Sequence, residues 1–117
     1  MSRSLTMVAP AFNEEELIVE FVEKSAADLS RVAQDWEIIL VNDGSTDRTS
    51  EIAHSLTDRF PQLKIIDLKQ NVGNGANVDI GFQHATKDIV FNNTVDAFFD
   101  TRDLTWILPH LDQYDCI

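Results

Sequence analysis

This sequence has little of the cysteine, positive charge and long apolar segments that mark several classes of protein. Its single cysteine, Cys116, excludes an intrachain disulfide and fits a reducing compartment. Its longest apolar runs, such as residues 38–41, are far too short to span a membrane, and residues 1–10 lack the apolar stretch of a signal peptide. Nine Lys and Arg against 20 Asp and Glu give a net charge of −11, which disfavours nucleic acid as a partner. We therefore expect a cytoplasmic chain with no membrane segment.

The 117 residues, 44% of them hydrophobic, predict one soluble domain, residues 1–117. Strand-like and helix-like segments alternate along the chain. Strands are predicted over 5–9, 36–41, 63–68 and 89–91, and helices over 14–33, 47–59, 76–85 and 102–111. The predicted strands are apolar on both faces, and the strand at 89–91 is predicted to be buried and central. This pattern indicates an α/β, Rossmann-like fold, with a mostly parallel sheet and helices on both faces.

Local signals predict how two of the helices begin. Asn13 has the chemistry of an N-cap, and Glu16 three residues later completes a capping-box-like pattern. Ser45 or Thr46 is predicted to cap the second helix. Phe12 is predicted to be a core residue or a hydrophobic staple, with stacking near a base as the alternative.

Polar segments follow all four predicted strands. They are PAFNEE at 10–15, NDGST at 42–46, LKQNVGNG at 68–75 and NNTVDAFFD at 92–100. Because ligands of parallel sheets bind beyond the carboxyl ends of the strands, we expect these segments to meet at one edge. The turn at 42–46 has two interpretations: ordinary turn chemistry, or a site where Asp43 accepts hydrogen bonds from a base or ribose.

The glycine-rich segment NVGNGANVDIG, residues 71–81, also has two interpretations. It is a loop with Gly75 at a helix start, or it places backbone N–H groups near a phosphate. A dinucleotide fingerprint is a poor match, because Val78 stands where the third glycine belongs.

Four segments in order resemble the nucleotide-sugar-binding half of family-2 inverting glycosyltransferases, which have the GT-A fold. The family motifs are V-P-x-Y/F-N-E-E, V-D-D-G-S-T-D-x-T, N-x-G-K-G-A-A-x-x-x-G and G-D-x-V-x-F-L-D-A-D. This chain has VAPAFNEEE, VNDGSTDRTSEIA, NVGNGANVDIGFQHA and KDIVFNNTVDAFFDTRDL. The first two motifs match well and the last two are degraded.

The resemblance implies a site for a nucleoside-diphosphate sugar, with Asp43 contacting the base. The nucleotide-binding positions that it implies are Pro10, Ala11, Phe12, Asn13, Glu14, Asp43, Gly73, Gly75 and Thr94. The second and third motifs depart from the family at three charged positions. Asn42 stands where an Asp is common, Asn74 replaces a Lys near the diphosphate, and Asp79 replaces a basic residue. The last two changes weaken diphosphate binding in principle.

The resemblance also implies Mg²⁺ or Mn²⁺, held by a D-x-D motif. Aligned without gaps, this motif falls on residues 94–96, so that Asp96 is the metal ligand and Thr94 replaces the other Asp. A two-residue shift would align residues 96–98 instead. Either way one carboxylate is left, which can bind the metal together with phosphates and water.

The family places its catalytic base in a second half, so we expect this chain to be a fragment that is inactive alone and self-associates through its uncovered sheet edge. The intact protein is expected to be cytoplasmic or associated with a membrane. The alternatives are a non-catalytic relative that serves as an interaction module, and a different doubly wound domain such as a receiver.

Overall fold

The computed structural model describes residues 4–95, apart from the side chain of Asn74. Strands and helices alternate through this range, as predicted. The elements are β1 (Ser4–Ala11), α1 (Ile18–Val32), β2 (Asp35–Asp43), α2 (Thr49–Leu56), β3 (Leu63–Leu68), α3 (Asn74–Gln83) and β4 (Ile89–Asn92). The predicted fourth helix and Asp96 lie outside the described residues.

The four strands form one parallel sheet with the order β3-β2-β1-β4. β1 therefore lies between β2, the next strand along the chain, and β4, the last strand of the described range. Leu5 pairs with Trp36 of β2 on one side and with Ile89 of β4 on the other. This arrangement confirms the α/β fold with a parallel sheet.

Helices cover both faces of the sheet, and the side-chain alternation of β1 and β2 decides which residues meet them. Met7 and Leu40 belong to the larger cluster of buried apolar residues, which includes residues of α1 and α2. Val8 and Val41 point to the opposite face, where α3 packs. None of these described helices combines the length and apolarity that a membrane crossing requires.

Ile89 and Phe91 of β4 are half-buried and Val90 and Asn92 are exposed, which corrects the prediction of a buried strand. Among the described residues β4 pairs with β1, and its central position stays a prediction. Val90 shares its face with Thr6, and 37% of it is exposed. The reason is that α3 packs mainly on β1 and β2 and leaves this side of β4 uncovered. An apolar run of three residues therefore did not indicate burial on both faces.

Gly81 allows α3 to approach the sheet closely. A Cβ atom at this position would lie 2.3 Å from Cγ1 of Val8 and 3.2 Å from Cγ2 of Val41. Both contacts are with β-branched side chains in a packed core, which have little freedom to move.

We expect Gly81→Ala to lower the free energy of unfolding by about 2 kcal/mol, because the added methyl group overpacks this contact. The matched control is Gly75→Ala in the same helix, where an added Cβ would meet nothing within 4 Å. Alanine favours a helix, so the control should be neutral or stabilising. Urea unfolding of both variants is the measurement. Equal stability of the two would show that the helix is not held this close to the sheet.

Candidate functional site

The carboxyl ends of the strands come together at one edge, as the sequence predicts. Ala11 at the end of β1 pairs with Asn42, and Leu68 at the end of β3 pairs with Asp43. After β4, the backbone N–H of Asn93 donates to the carbonyl of Val8 over 2.9 Å, so this segment also follows β1. The segments at 10–15, 42–46 and 68–75 therefore lie side by side.

Two of these segments bind each other directly, and we call residues 12–17 and 44–49 the loop pair. The backbone N–H of Asn13 donates to Oγ of Ser45 over 2.9 Å. In return, Oδ1 of Asn13 accepts from the backbone N–H groups of Thr46 at 2.9 Å and Asp47 at 3.3 Å. Polar atoms of the two best-matched motifs thus form hydrogen bonds with one another.

Further hydrogen bonds extend the loop pair towards the two helices. The backbone N–H of Glu14 donates to Oγ1 of Thr49 over 2.9 Å, and that of Glu15 donates to Oδ2 of Asp47 over 3.3 Å. The side chain of Asp47 also accepts from Thr49. Burial would raise the pKa of Asp47, but the bonds from Thr49 and from the backbone of Glu15 hold the pKa below its ordinary value. Asp47 therefore stays ionised and keeps the loops joined.

This geometry corrects both cap predictions. Asn13 has a φ of 54°, and α1 begins later, with Leu17 at the N-cap and no side-chain cap bond. The side chain of Asn13 is engaged by the second loop instead. α2 likewise has Arg48 at its N-cap rather than Ser45 or Thr46. Local spacing did not reveal these bonds, because their partners are more than 30 residues apart.

An open pocket of about 210 Å³ lies beside the loop pair. It is lined by Asn13, Glu14, Glu15, Glu16, Leu17 and Asp47. Most of these residues are acidic, so the pocket repels a phosphate group unless a cation accompanies it. Phe12 is 44% exposed, which makes the prediction of a core position wrong.

Asp43 is a buried carboxylate at this edge, and 2% of the residue is exposed. Its Oδ1 accepts from the backbone N–H of Val72 over 2.7 Å, and its Oδ2 accepts from the N–H of Gly73 over 3.1 Å. The amide of Asn77 on α3 donates to Oδ2 over 2.9 Å. Asp43 therefore holds the glycine-rich segment against the end of β2, a role that the sequence did not predict.

Gly44 lets this segment pass close to the turn. Its φ is +73°, and a Cβ atom here would lie 2.6 Å from the backbone nitrogen of Asn71. Residues other than glycine rarely adopt this φ, and backbone cannot move aside as a side chain can. Asp43 and Gly44 thus form the turn after β2 and also hold the glycine-rich segment in place.

Asn42 lies on the other face of β2 and explains one departure from the family motif. Its Nδ2 donates to Oδ1 of Asp67 over 2.9 Å, and its Oδ1 accepts from the backbone N–H of Ser45 over 3.2 Å. An Asp here would place a second carboxylate against Asp67. Ser50 and His54 also contact the Asp67 carboxylate, at 2.9 Å and 2.6 Å.

Burial would raise the pKa of Asp67, but hydrogen bonds from His54, Asn42 and Ser50 hold the pKa below its ordinary value. His54 is an exposed residue of α2. Its part in this cluster was missed because Asp67 follows it by 13 residues on a different element.

Comparison with known proteins decides the family. The sequence model of glycosyl transferase family 2 matches residues 6–117. This chain belongs to glycosyl transferase family 2. A dolichyl-phosphate beta-glucosyltransferase, ALG5C, of Trichomonas vaginalis is 37% identical over 90 residues, which cover 73% of this chain and 27% of that protein. An undecaprenyl-phosphate 4-deoxy-4-formamido-L-arabinose transferase of Pectobacterium carotovorum is 33% identical over 113 residues, covering 96% of this chain and 33% of that protein.

Solved structures support the same fold for this family-2 chain. S. aureus TarS 1–349 in complex with UDP-GlcNAc has a TM-score of 0.78 at 23% identity, covering 96% of this chain and 33% of that one. The mannosyltransferase PcManGT from Pyrobaculum calidifontis, in complex with GDP-Man and Mn²⁺, has a TM-score of 0.77 at 23% identity. The match covers 90% of this chain and 31% of that one. The chain thus spans about a third of the length of the proteins it matches. The likeness confirms the Rossmann-like GT-A fold.

The metal expectation rests on a residue outside the described range. Within residues 4–95, no cluster of three or more His, Cys, Asp or Glu side chains could hold a metal ion. The segment that leads to Asp96 is well anchored, because Val95 is buried in the larger apolar cluster. The N–H of Thr94 donates to Oδ1 of Asn93 over 3.0 Å. A carboxylate that follows this anchored segment has the donor chemistry that Mg²⁺ and Mn²⁺ prefer.

Proposed function

We propose that this chain is the donor-binding part of a metal-dependent glycosyltransferase. It would bind a nucleoside-diphosphate sugar at the edge formed by the loop pair and the segment at 68–75. The observation that carries the proposal is the bracing of these loops by Asn13 and Asp43. Such bracing fixes a rigid, polar surface where α/β sheets bind ligands, and binding to a fixed surface costs less ordering entropy.

The proposal assigns roles to the residues that the family motifs suggested. Pro10 to Glu14 would line the nucleoside, and Asp43 would accept a hydrogen bond from the base. It uses three of about four acceptor positions in the structure, which leaves room for one more donor. Gly73, Gly75 and Thr94 would lie along the phosphates.

Asp96 would hold Mg²⁺ or Mn²⁺ beside the diphosphate. When bound, the metal neutralises the charge of the leaving diphosphate. The chain's own residues would orient the nucleotide: the loop pair supplies a fixed frame, and Asp43 sets the path of the 71–73 backbone. The presence of Mn²⁺ with GDP-Man in the mannosyltransferase neighbour supports this choice of metal.

The relatives favour a transferase over a non-catalytic module, since the two described above are named as transferases. Both names also include a polyprenyl phosphate, dolichyl phosphate in one and undecaprenyl phosphate in the other. We therefore extend the proposal to a polyprenyl-phosphate acceptor for the intact protein, which would bring that protein to a membrane.

Calorimetric titration of the 117-residue chain with UDP and GDP, each with Mn²⁺ and with a chelator, tests the proposal. We expect one of the two nucleotides to bind, and to bind more tightly with Mn²⁺ present. The control is Asp96→Asn, in which the gain from Mn²⁺ should disappear while metal-free binding persists. No heat from either nucleotide at millimolar concentration would contradict the proposal.

A further inference from the structure

One Lys in the described range differs from every other positively charged residue there. In residues 4–95, six of the seven Lys and Arg side chains form an ion pair. The pairs are Lys24 and Arg31 with Asp28, Arg48 with Glu51, Arg59 with Glu23, Lys64 with Glu37, and Lys87 with Asp35. Lys69 is exposed and forms no ion pair within this part of the chain.

Lys69 lies at the ligand-binding edge. It directly follows Leu68, the last residue of β3, which pairs with Asp43. The next two residues pack against Gly44, where an added Cβ would be 2.6 Å from both the carbonyl carbon of Gln70 and the backbone nitrogen of Asn71. The backbone on both sides of Lys69 is therefore held in place while its side chain is free.

The surroundings of Lys69 are acidic. The pocket beside the loop pair is lined by Glu14, Glu15, Glu16 and Asp47, and Asp43 adds a buried carboxylate. Arg48, at the same edge, already pairs with Glu51 over 2.9 Å. The family's loop Lys is replaced by Asn74. A diphosphate approaching this edge therefore meets a negative field with one uncompensated positive charge among the described residues.

We propose that Lys69 binds the phosphates of the nucleotide and takes the place of the cation that is absent at position 74. The inference rests on the proposed function and adds a binding residue to it. A lysine ammonium is a compact charge on a flexible stem, and its hydrogen bonds to phosphate oxygens are strengthened by charge. No existing ion pair has to break before Lys69 turns to the ligand.

The test compares Lys69→Met with Lys24→Met, which removes the same charge from the middle of α1. Binding of the preferred nucleoside diphosphate is measured by calorimetry, and binding of the corresponding nucleoside by NMR chemical shifts. We expect Lys69→Met to weaken diphosphate binding about tenfold or more and to leave nucleoside binding unchanged. Lys24→Met should match the wild type, and Lys69→Arg should keep most of the affinity.

Two results would overturn this inference while the proposed function stands: wild-type diphosphate affinity in Lys69→Met, or an equal loss of nucleoside affinity, which would mean a base contact. A wild-type chain that binds no nucleotide would overturn both. Thermal unfolding of Lys69→Met should match the wild type, because the residue is exposed.

Discussion

Asp43→Asn should strongly weaken nucleotide binding by the chain. Asp43 accepts from three N–H donors, those of Val72, Gly73 and Asn77. Asparagine replaces one acceptor oxygen with an NH₂ group, which faces at least one of these donors and cannot accept from it. An unsatisfied buried donor costs about 1–3 kcal/mol, so the 71–73 backbone should leave the end of β2. We expect affinity to fall by roughly 100-fold or more, about 3 kcal/mol.

The matched control is Asp58→Asn, which makes the same chemical change at an exposed position in the turn that follows α2. Calorimetry should give wild-type affinity for this control. Hydrogen exchange supplies a second readout, since the amides of Val72 and Gly73 should lose protection only in Asp43→Asn. Equal affinity in the two variants would show that Asp43 neither shapes the loop nor contacts the ligand.

Glu37→Gln should lower the free energy of unfolding by about 3 kcal/mol at neutral pH. The Glu37 side chain is 2% exposed and lies within the sheet. Its Oε2 accepts from Oγ1 of Thr6 at 2.6 Å and from the backbone N–H of Thr86 at 2.8 Å, and its Oε1 binds Nζ of Lys64 at 2.5 Å. Glutamine has no charge, and its NH₂ group replaces one of the two oxygens that accept these hydrogen bonds.

The effect of Glu37→Gln should depend on pH. Burial would raise the pKa of Glu37, but the hydrogen bonds from Lys64, Thr6 and Thr86 lower this pKa from 4.5 to about 2. A carboxyl group with a depressed pKa in the folded state stabilises the protein fully above its unfolded pKa. This contribution is lost as the pH falls from about 4.5 through about 2. The difference in the free energy of unfolding between wild type and variant should therefore become smaller as the pH falls from about 4.5 to about 2.

Urea unfolding at pH 7, 4.5 and 3 measures this difference. Asp47 and Asp67 titrate in both proteins, so their contributions cancel. Glu23→Gln is the control, because the exposed ion pair of Glu23 with Arg59 should contribute less than about 1 kcal/mol. If Glu37→Gln behaves like Glu23→Gln, the buried network around Glu37 does not stabilise the fold.

The sequence predicted the alternation of elements well, because apolar periodicity is a local signal. The strand predicted at 63–68 has the bounds of β3, Leu63–Leu68. The convergence of the polar ends of the strands also followed from a general rule for parallel sheets. The prediction that β4 is buried was wrong, because the burial of β4 depends on where α3 packs and not on the residues of β4 themselves.

The chemistry of the site was less predictable, because its polar partners lie far apart in the sequence. Asn13 has the composition of a cap, yet its amide contacts a loop 33 residues away. Asp43 was correctly placed at the sheet edge, but its bonds to Val72 and Gly73 depend on a φ of +73° at Gly44. Nothing in the sequence indicated that Asn77 would bind Asp43. The roles of Asp43 in base binding and of Asp96 in metal binding stay predictions.

The central place of β1 has a consequence for the order in which the protein can be completed during synthesis. One of the two neighbours of β1, β4, is synthesised about 80 residues after it, so that Leu5 can pair with Ile89 only late in synthesis of this range. Until then, one edge of a largely apolar strand is unpaired in the growing chain. Contacts this distant slow folding, and open edges invite wrong partners. The nascent chain is therefore most exposed to misassociation before residue 92 leaves the ribosome, and it is at this stage that it would depend most on chaperones.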